Sequence, residues 1–305
     1  VPPYTMSATV MAPLSLGAVP VFVDVEDNTF GLDPELVLKA ITPKTKAIIV
    51  VNLFGHSAKL QEIRKIADDN NIFLIEDNAQ SIMASSNDIL CGKYGHIAVF
   101  SLNRHKHIHC GEGGVCITDD EEIGKNLILI RNHGENSGYI FNEKVSRNIV
   151  GYNFRMTEIS AAIASAQLKK VDYLVDRCEQ IGMQLSNKMK EFDCLQIPVI
   201  EKGSRHVFFS WALRYFEEKT GVPRDIFCKA LQKENVPINS GYVAPLYKLP
   251  LFSNNDPKYN YRIGNNKDNK CPVTERLYYK ELMSIQIPGL DIKKDDIEFI
   301  YNAFK

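Results

Sequence analysis

The sequence predicts an α/β protein, a mostly parallel sheet covered by helices, followed by a smaller α+β domain. Two observations carry this. Through the first half, short apolar runs alternate with segments whose apolar residues recur at helical spacing. From about Thr157 the texture changes to long helical patterns and then to a second, mixed set of elements. At 305 residues the chain is long enough for a large domain over residues 1–185 and a small one over 186–305, and 45% hydrophobic content supports a sizeable core.

Each element has a local reason. Val21-Phe22-Val23-Asp24, Ala47 to Val51, Ile72 to Ile75, Ile97 to Phe100 and Val115-Cys116-Ile117 are apolar runs of strand length. Between the first two, Asp33-Pro34 followed by Val37, Ala40 and Ile41 reads as an N-cap, a first-turn proline and a helical stripe. Leu60, Ile63, Ile66 and Ala67 repeat the stripe. Asp119 to Glu122 places acids at the positive end of a helix carrying Ile123, Leu127 and Ile130. Long helical patterns then run from Ile159 to Leu168 and through Val171, Leu174 and Val175 towards Met189. In the second part, Val207 to Leu213 reads as a strand and Pro223 to Glu234 as a helix. An Asn/Lys/Tyr-rich loop lies near Ser253 to Asn269, and helical segments surround Glu275 to Met283 and Asp295 to Phe304.

Composition excludes several classes of function. Lys plus Arg (36) nearly balances Asp plus Glu (37) without long runs of one sign, so neither a nucleic-acid footprint nor an anionic-membrane patch is present, and a small molecule is the expected partner. The longest apolar stretches are too short to span a bilayer, and Val1-Pro2-Pro3-Tyr4 does not read as a secretory leader. Seven scattered cysteines lack paired metal or disulfide spacing. The expectation is a cytoplasmic protein with free thiols.

The chemistry centres on Lys106, between the strand Ile97 to Phe100 and the turn Gly111-Glu112-Gly113-Gly114. Ligands gather beyond the carboxyl ends of strands in open α/β sheets. A lysine partly desolvated there has a lowered pKa and a free amine able to attack a carbonyl carbon, which is what a pyridoxal phosphate enzyme requires. Asp77 follows another strand and suits a pyridine nitrogen. Gln80 stands one helical turn on, near enough for a ring substituent. Ser101 and Asn153 are candidate phosphate donors.

These residues, in order, carry a resemblance. Pro3-Tyr4-Thr5, Gly17 to Asp24, Ile41 to Ile48, Glu76-Asp77-Asn78-Ala79-Gln80, Phe100-Ser101 to Lys106, Gly111 to Gly114, Arg131-Asn132-His133-Gly134 and Gly151 to Met156 resemble the DegT/StrS-type sugar aminotransferases. The likeness continues in Pro245-Leu246-Tyr247, Pro250-Leu251-Phe252, Cys271 to Glu275 and Ile287-Pro288-Gly289. It implies a three-layer fold-type-I large domain, pyridoxal 5'-phosphate as cofactor, and transfer of an amino group from glutamate or glutamine to a ketosugar, usually nucleotide-linked. It implies that Lys106 forms the Schiff base and shuttles the proton, that Asp77 pairs with the ring nitrogen, that Gln80 contacts the ring oxygen side, and that Ser101 binds phosphate. Asn153 is implied to reach the phosphate of a neighbouring subunit, in a homodimer with shared sites. Met6 takes the place of the family's aromatic ring cover, a softer apolar group. The resemblance also implies that Val1 lies downstream of a Ser-Gly-Thr phosphate-binding turn.

Two rival readings stand beside this one. His105, His107, His109 and Cys110 crowd the lysine, and on an extended segment alternation puts the three histidines on one face, as a zinc site requires. A non-catalytic or regulatory relative of the same fold is the other. The dehydratase variant of the family carries histidine where this chain has Lys106.

Overall fold

The computed structural model describes residues 1–136, 149–253 and 271–305. The Asn-rich run Ser253 to Asn269 and the loop Glu135 to Asn148, a segment on which sugar choice is expected to depend, fall almost wholly outside these residues.

The larger sheet has the order β1-β2-β5-β6. It is formed by β1 (Ala47–Val51), β2 (Phe73–Asp77), β5 (Ile97–Ser101) and β6 (Gly114–Ile117), with a small hairpin of β3 (Ser85–Ser86) and β4 (Ile89–Leu90) between β2 and β5 in the chain. β1, β2 and β5 are parallel, in a register that sets Val51 beside Asp77 and Asp77 beside Val99. β6 turns back antiparallel, with Ser101 opposite Gly114, because residues 102–113 are too short and too tightly turned for a crossover helix.

The helices of this half are α1 (Ala8–Ser15), α2 (Pro34–Ala40), α3 (Leu60–Asp69) and α4 (Glu121–Arg131), followed by α5 (Glu158–Leu168) and the long α6 (Val171–Met189). Their starts follow the capping chemistry of the sequence. Asp33 Oδ1 accepts from Glu35 and Leu36 backbone N–H, and Asp120 Oδ1 accepts from Ile123 N–H at 2.9 Å.

Val21 to Asp24 does not join the large sheet. Its backbone bonds are few: Val1 N to Val21 O and Val23 N to Val1 O, each 3.0 Å and in the parallel pattern, and Asp33 N to Asp24 O at 3.1 Å. A mostly apolar slot of about 590 Å³ separates this run from β1. A run of strand-forming residues without a neighbouring strand stays outside the sheet.

The second sheet has the order β7-β8-β10-β9, from β7 (Leu195–Gln196), β8 (Ser210–Tyr215), β9 (Asn239–Ser240) and β10 (Leu282–Gln286). Short α7 (Glu217–Thr220), α8 (Arg224–Lys233), α9 (Pro250–Ser253), α10 (Pro272–Arg276) and the terminal α11 (Lys294–Phe304) complete the fold. Two expectations need correction. The helix expected to reach Met283 ends at Arg276, passes through a π-helical turn over Leu277–Glu281 and becomes β10. β8 supplies the partner along Leu282 to Gln286, and buried Arg224 donates to the carbonyls of Tyr278 and Leu282, holding the wide turn open. Val207 to Phe209, expected within a strand, is instead a strap leading into β8, with Phe208 at φ 46°.

α6 is the common spine. Val171 and Val175 pack into the core built on β1, β2 and α3, whereas Cys178, Ile181, Leu185 and Met189 pack against Trp211, Leu213 and Ile285 of the second sheet. The two ends of the chain also meet. Asp24, buried, accepts from Val273 N–H, Thr274 N–H and the Thr274 hydroxyl at 2.8, 3.0 and 2.6 Å, fastening the start of α10 to the large sheet's side of the molecule. No helix among the described residues is long and apolar enough to cross a membrane.

Candidate active site

The register of the large sheet brings Asp77 and Ser101 to the carboxyl ends of neighbouring parallel strands, with Lys106 in the loop that follows. That loop is closed on itself. Arg104 N–H donates to Gly111 O at 2.8 Å, Cys110 N–H to Leu102 O at 3.0 Å, and Lys106 N–H to Asn103 O at 2.9 Å; Gly111, at φ 89°, makes the turn that a side chain would strain.

Asp77 is oriented from two sides. Oδ1 accepts from Ala79 N–H at 3.1 Å, and Oδ2 accepts from the Thr9 hydroxyl at 2.8 Å. The Thr9 proton is thereby committed, so in the 3.0 Å contact between Thr5 and Thr9 it is Thr5 that donates. This relay places α1 over the carboxylate. Met6 lies one turn ahead of Thr9, 57% exposed.

Lys106 is half-buried, and its Nζ lies 4.7 Å from the centre of the Phe209 ring. Burial lowers its pKa, and the negative charge of Asp77 works in the opposite direction. Amine and carboxylate therefore stand within one another's field. Ser101 Oγ accepts from Asn103 N–H at 3.2 Å, which leaves its own proton available to a ligand. Gln80 is buried, bonded to Phe54 N–H and to the Tyr242 hydroxyl. Asn153 is exposed, on a segment that bridges back to Asn132 at the end of α4.

The structure thus gathers Asp77, Gln80, Ser101 and Lys106 around one strand-end region and leaves Asn153 on the surface. Thr9 and Phe209 carry no local signal for the contacts they make, since each is brought in by residues far away in the chain.

The metal reading is not supported. Residues 102–110 are looped, not extended, so His105 is exposed while His107 is buried, and no group of three metal-ligating side chains occurs among the described residues. His107 instead secures the strap, its Nε2 lying 2.8 Å from Val207 O, while Val207 N–H donates to Gly55 O at 2.8 Å. Gly55, at φ 93°, has to be glycine here, because a Cβ would lie 2.7 Å from Phe209 N. These contacts hold the Phe209 ring over the lysine.

His56 and His206 complete a buried group, ring centres 5.0 Å apart. Burial pushes His107 down to about 4, assisted by the Lys106 charge, and holds His206 well below its ordinary range, aided by His56 and His107. Burial also lowers His56, against its bond to Ser57 O and the pull of Glu26. Unfolded, all three titrate near pH 6.5. Native stability is then fully present above about pH 6.5 and is lost as pH falls through about 4. We expect unfolding to take up one to three protons across this window, each worth about 1.4 kcal/mol per pH unit. Urea midpoints measured at about pH 7.5 and about pH 5 check this, and equal midpoints would refute it.

The donor set suits pyridoxal phosphate. An acceptor-only carboxylate fits a protonated ring nitrogen, a desolvated amine fits the aldehyde carbon, and a hydroxyl with a free proton fits a phosphate oxygen.

Comparison with known proteins bears on the same conclusion. The model of the DegT/DnrJ/EryC1/StrS aminotransferase family matches residues 1–305. A curated relative, the UDP-N-acetyl-3-dehydro-alpha-D-glucosamine 3-aminotransferase of Acidithiobacillus ferrooxidans, is 31% identical over 95% of this chain and 72% of its own length. The crystal structure of an aminotransferase from Psychrobacter cryohalolentis superposes with a TM-score of 0.89 at 26% identity, covering 99% of this chain and 78% of that one. The GDP-4-keto-6-deoxy-D-mannose-3-dehydratase of E. coli, solved with bound hydrated PLP, superposes at 0.81 with 28% identity, covering 100% of this chain and 79% of that one. By the whole-length match and the lysine, carboxylate and hydroxyl placed at its strand ends, the chain belongs to the DegT/DnrJ/EryC1/StrS aminotransferase family of pyridoxal phosphate-dependent enzymes.

Proposed function

We propose that this chain moves an amino group from glutamate or glutamine onto a ketosugar carried by a nucleotide, with Lys106 as the catalytic amine. The observation that carries the reading is the placement of Asp77 and Ser101 at the carboxyl ends of neighbouring parallel strands with a half-buried Lys106 in the loop that follows. Pyridoxal phosphate, when bound, supplies an electron sink for the carbon that loses a proton. Asp77, held in place by Thr9 and Ala79, would keep the ring nitrogen protonated. Lys106 would hold the cofactor through its amine and would serve as the base that takes up and returns the proton of the donor's α carbon. Ser101 would donate to the phosphate, Gln80 would stand on the ring oxygen side and Met6 would cover the ring. The curated relative's UDP-sugar substrate supports the sugar class.

The dehydratase outcome is disfavoured by Lys106 itself, given the histidine at that place in the dehydratase variant of the family. A visible absorption titration with pyridoxal phosphate, followed by glutamate, tests the reading. A band that bleaches on glutamate addition supports transamination, and its absence rejects the site.

The proposal includes a large domain over 1–185, a small one over 186–305, a cytoplasmic location, and a homodimer. Val150, Tyr152, Phe154, Met156, Ile159 and Ile163 form an exposed apolar face around Asn153, and α5 buries none of its residues within the chain. A face of this kind suits a second copy, which would receive Asn153 at its phosphate end. Phe154→Asp combined with Ile159→Lys is expected to convert a dimer to monomer and weaken cofactor binding, as read by light scattering and absorption. A variant that remains dimeric would place the interface elsewhere.

A further inference from the structure

Gln80 is oriented by a donor that cannot be reversed. Phe54 backbone N–H reaches its Oε1 at 2.7 Å, which turns the amide nitrogen towards Tyr242. An amide nitrogen only donates, so the 2.9 Å contact is Gln80 N–H giving to the Tyr242 oxygen. The phenol's own proton must then point elsewhere, and it has no acceptor among the described residues.

The ring is not free to turn it away. Phe54 packs edge-on against Tyr242 at 5.1 Å and Tyr4 does so at 6.0 Å. Burial and the nearby charge of Asp77 raise the phenol's pKa, although the Gln80 bond works the other way, so the proton stays in place. A largely buried hydroxyl, aimed by its neighbours and lacking an acceptor, lies within the field of the carboxylate that marks the cofactor site.

We propose that Tyr242 is a ligand-binding residue of this site, donating a hydrogen bond to an anionic oxygen of the bound molecule, and that Gln80 is the positioning residue that sets the phenol's direction. The inference rests on the Lys106 and Asp77 reading above. The anionic oxygen has two sources, the deprotonated ring hydroxyl of the cofactor and the carboxylate of the amino-acid donor.

Tyr242→Phe keeps the aromatic packing and removes only the donor. Titrated with pyridoxal phosphate, it separates the sources. If the oxygen is the cofactor's, the apparent Kd rises roughly ten- to a hundredfold, the loss expected for a hydrogen bond to a charged acceptor. The pH midpoint of the visible band also moves up, because the anionic form loses a stabilising donor. If the oxygen belongs to the donor, cofactor binding is unchanged and half-saturation by glutamate rises by a similar factor, with the limiting rate little affected. Tyr4→Phe removes a hydroxyl from the same aromatic group and should move neither readout. Gln80→Leu should produce the same change as Tyr242→Phe in smaller degree.

A Tyr242→Phe chain indistinguishable from the parent in both arms overturns the inference, as does an equal shift in Tyr4→Phe. A parent chain without a Lys106-dependent band removes the site reading and this inference with it. A Lys106-dependent band in the parent, with both cofactor affinity and glutamate half-saturation indifferent to Tyr242→Phe, removes this inference alone.

Discussion

Lys106→Ala is expected to abolish the visible cofactor band and to lower transamination by at least about a thousandfold, since it removes both the covalent anchor and the group that moves the proton. General acid–base catalysis alone is worth roughly 10²–10⁴-fold. The site gives reason to expect that another residue will not take over. Asp77 is held by Thr9 and Ala79, and buried His107 is tied to Val207. Lys106→Arg should fail as well, because a guanidinium stays protonated and does not attack a carbonyl. The absorption titration reads the first effect and a single-turnover reaction with glutamate the second. Retention of the band in Lys106→Ala would remove this lysine from its assigned role.

The second large effect is on stability. Glu76 is fully buried and accepts from three backbone N–H groups, Gly92 at 2.7 Å, Tyr94 at 2.8 Å and Gly95 at 2.5 Å, with the Asn52 and Asn78 amides at 3.5 and 3.4 Å. Glu76→Ala leaves these buried donors without an acceptor, at about 1–3 kcal/mol each. A loss of roughly 3–6 kcal/mol is a large part of the 5–15 kcal/mol typical of a folded protein. For a chain of 305 residues the thermal midpoint should fall by roughly 5–9 °C. Glu76→Gln keeps the shape but turns an amide nitrogen towards N–H donors, so it should fall in between. The damage reaches the site, because Asn52 N–H donates to the Asp77 carbonyl and the Asn52 side chain holds Ala58 N–H. A midpoint for Glu76→Ala within about 2 °C of the parent would show that the surroundings supply other acceptors.

Glu76 and Asp77 show how far sequence reading reaches. Both sit at the end of one apolar run, and Asp77 reads directly as a strand-end carboxylate. Glu76 has the same local signal and a different task, because its partners lie 16 to 19 residues away in a loop whose path no local pattern specifies. The histidines teach the same lesson. Alternation puts His105, His107 and His109 on one face, yet the looped backbone buries His107 and exposes His105. The expected helix to Met283 fails for a comparable reason, since β8 lies some 70 residues earlier and takes Leu282 to Gln286 as its partner.

What could be read from the chain alone is what short-range chemistry dictates: apolar runs as β1, β2, β5 and β6, acids and proline at helix starts, and a lysine in a glycine-closed loop beyond a strand end. Folding in three dimensions settled the rest, because those choices depend on partners distant in sequence. It kept Val21 to Asp24 out of the large sheet, set Thr9 on Asp77, laid the strap from Val207 to Phe209 across Gly55 and Lys106, and aimed Tyr242 through Gln80 from 162 residues away. A hydrogen bond or ring contact of that kind arises from the packing of two cores around α6, and its energy is absent from every local segment.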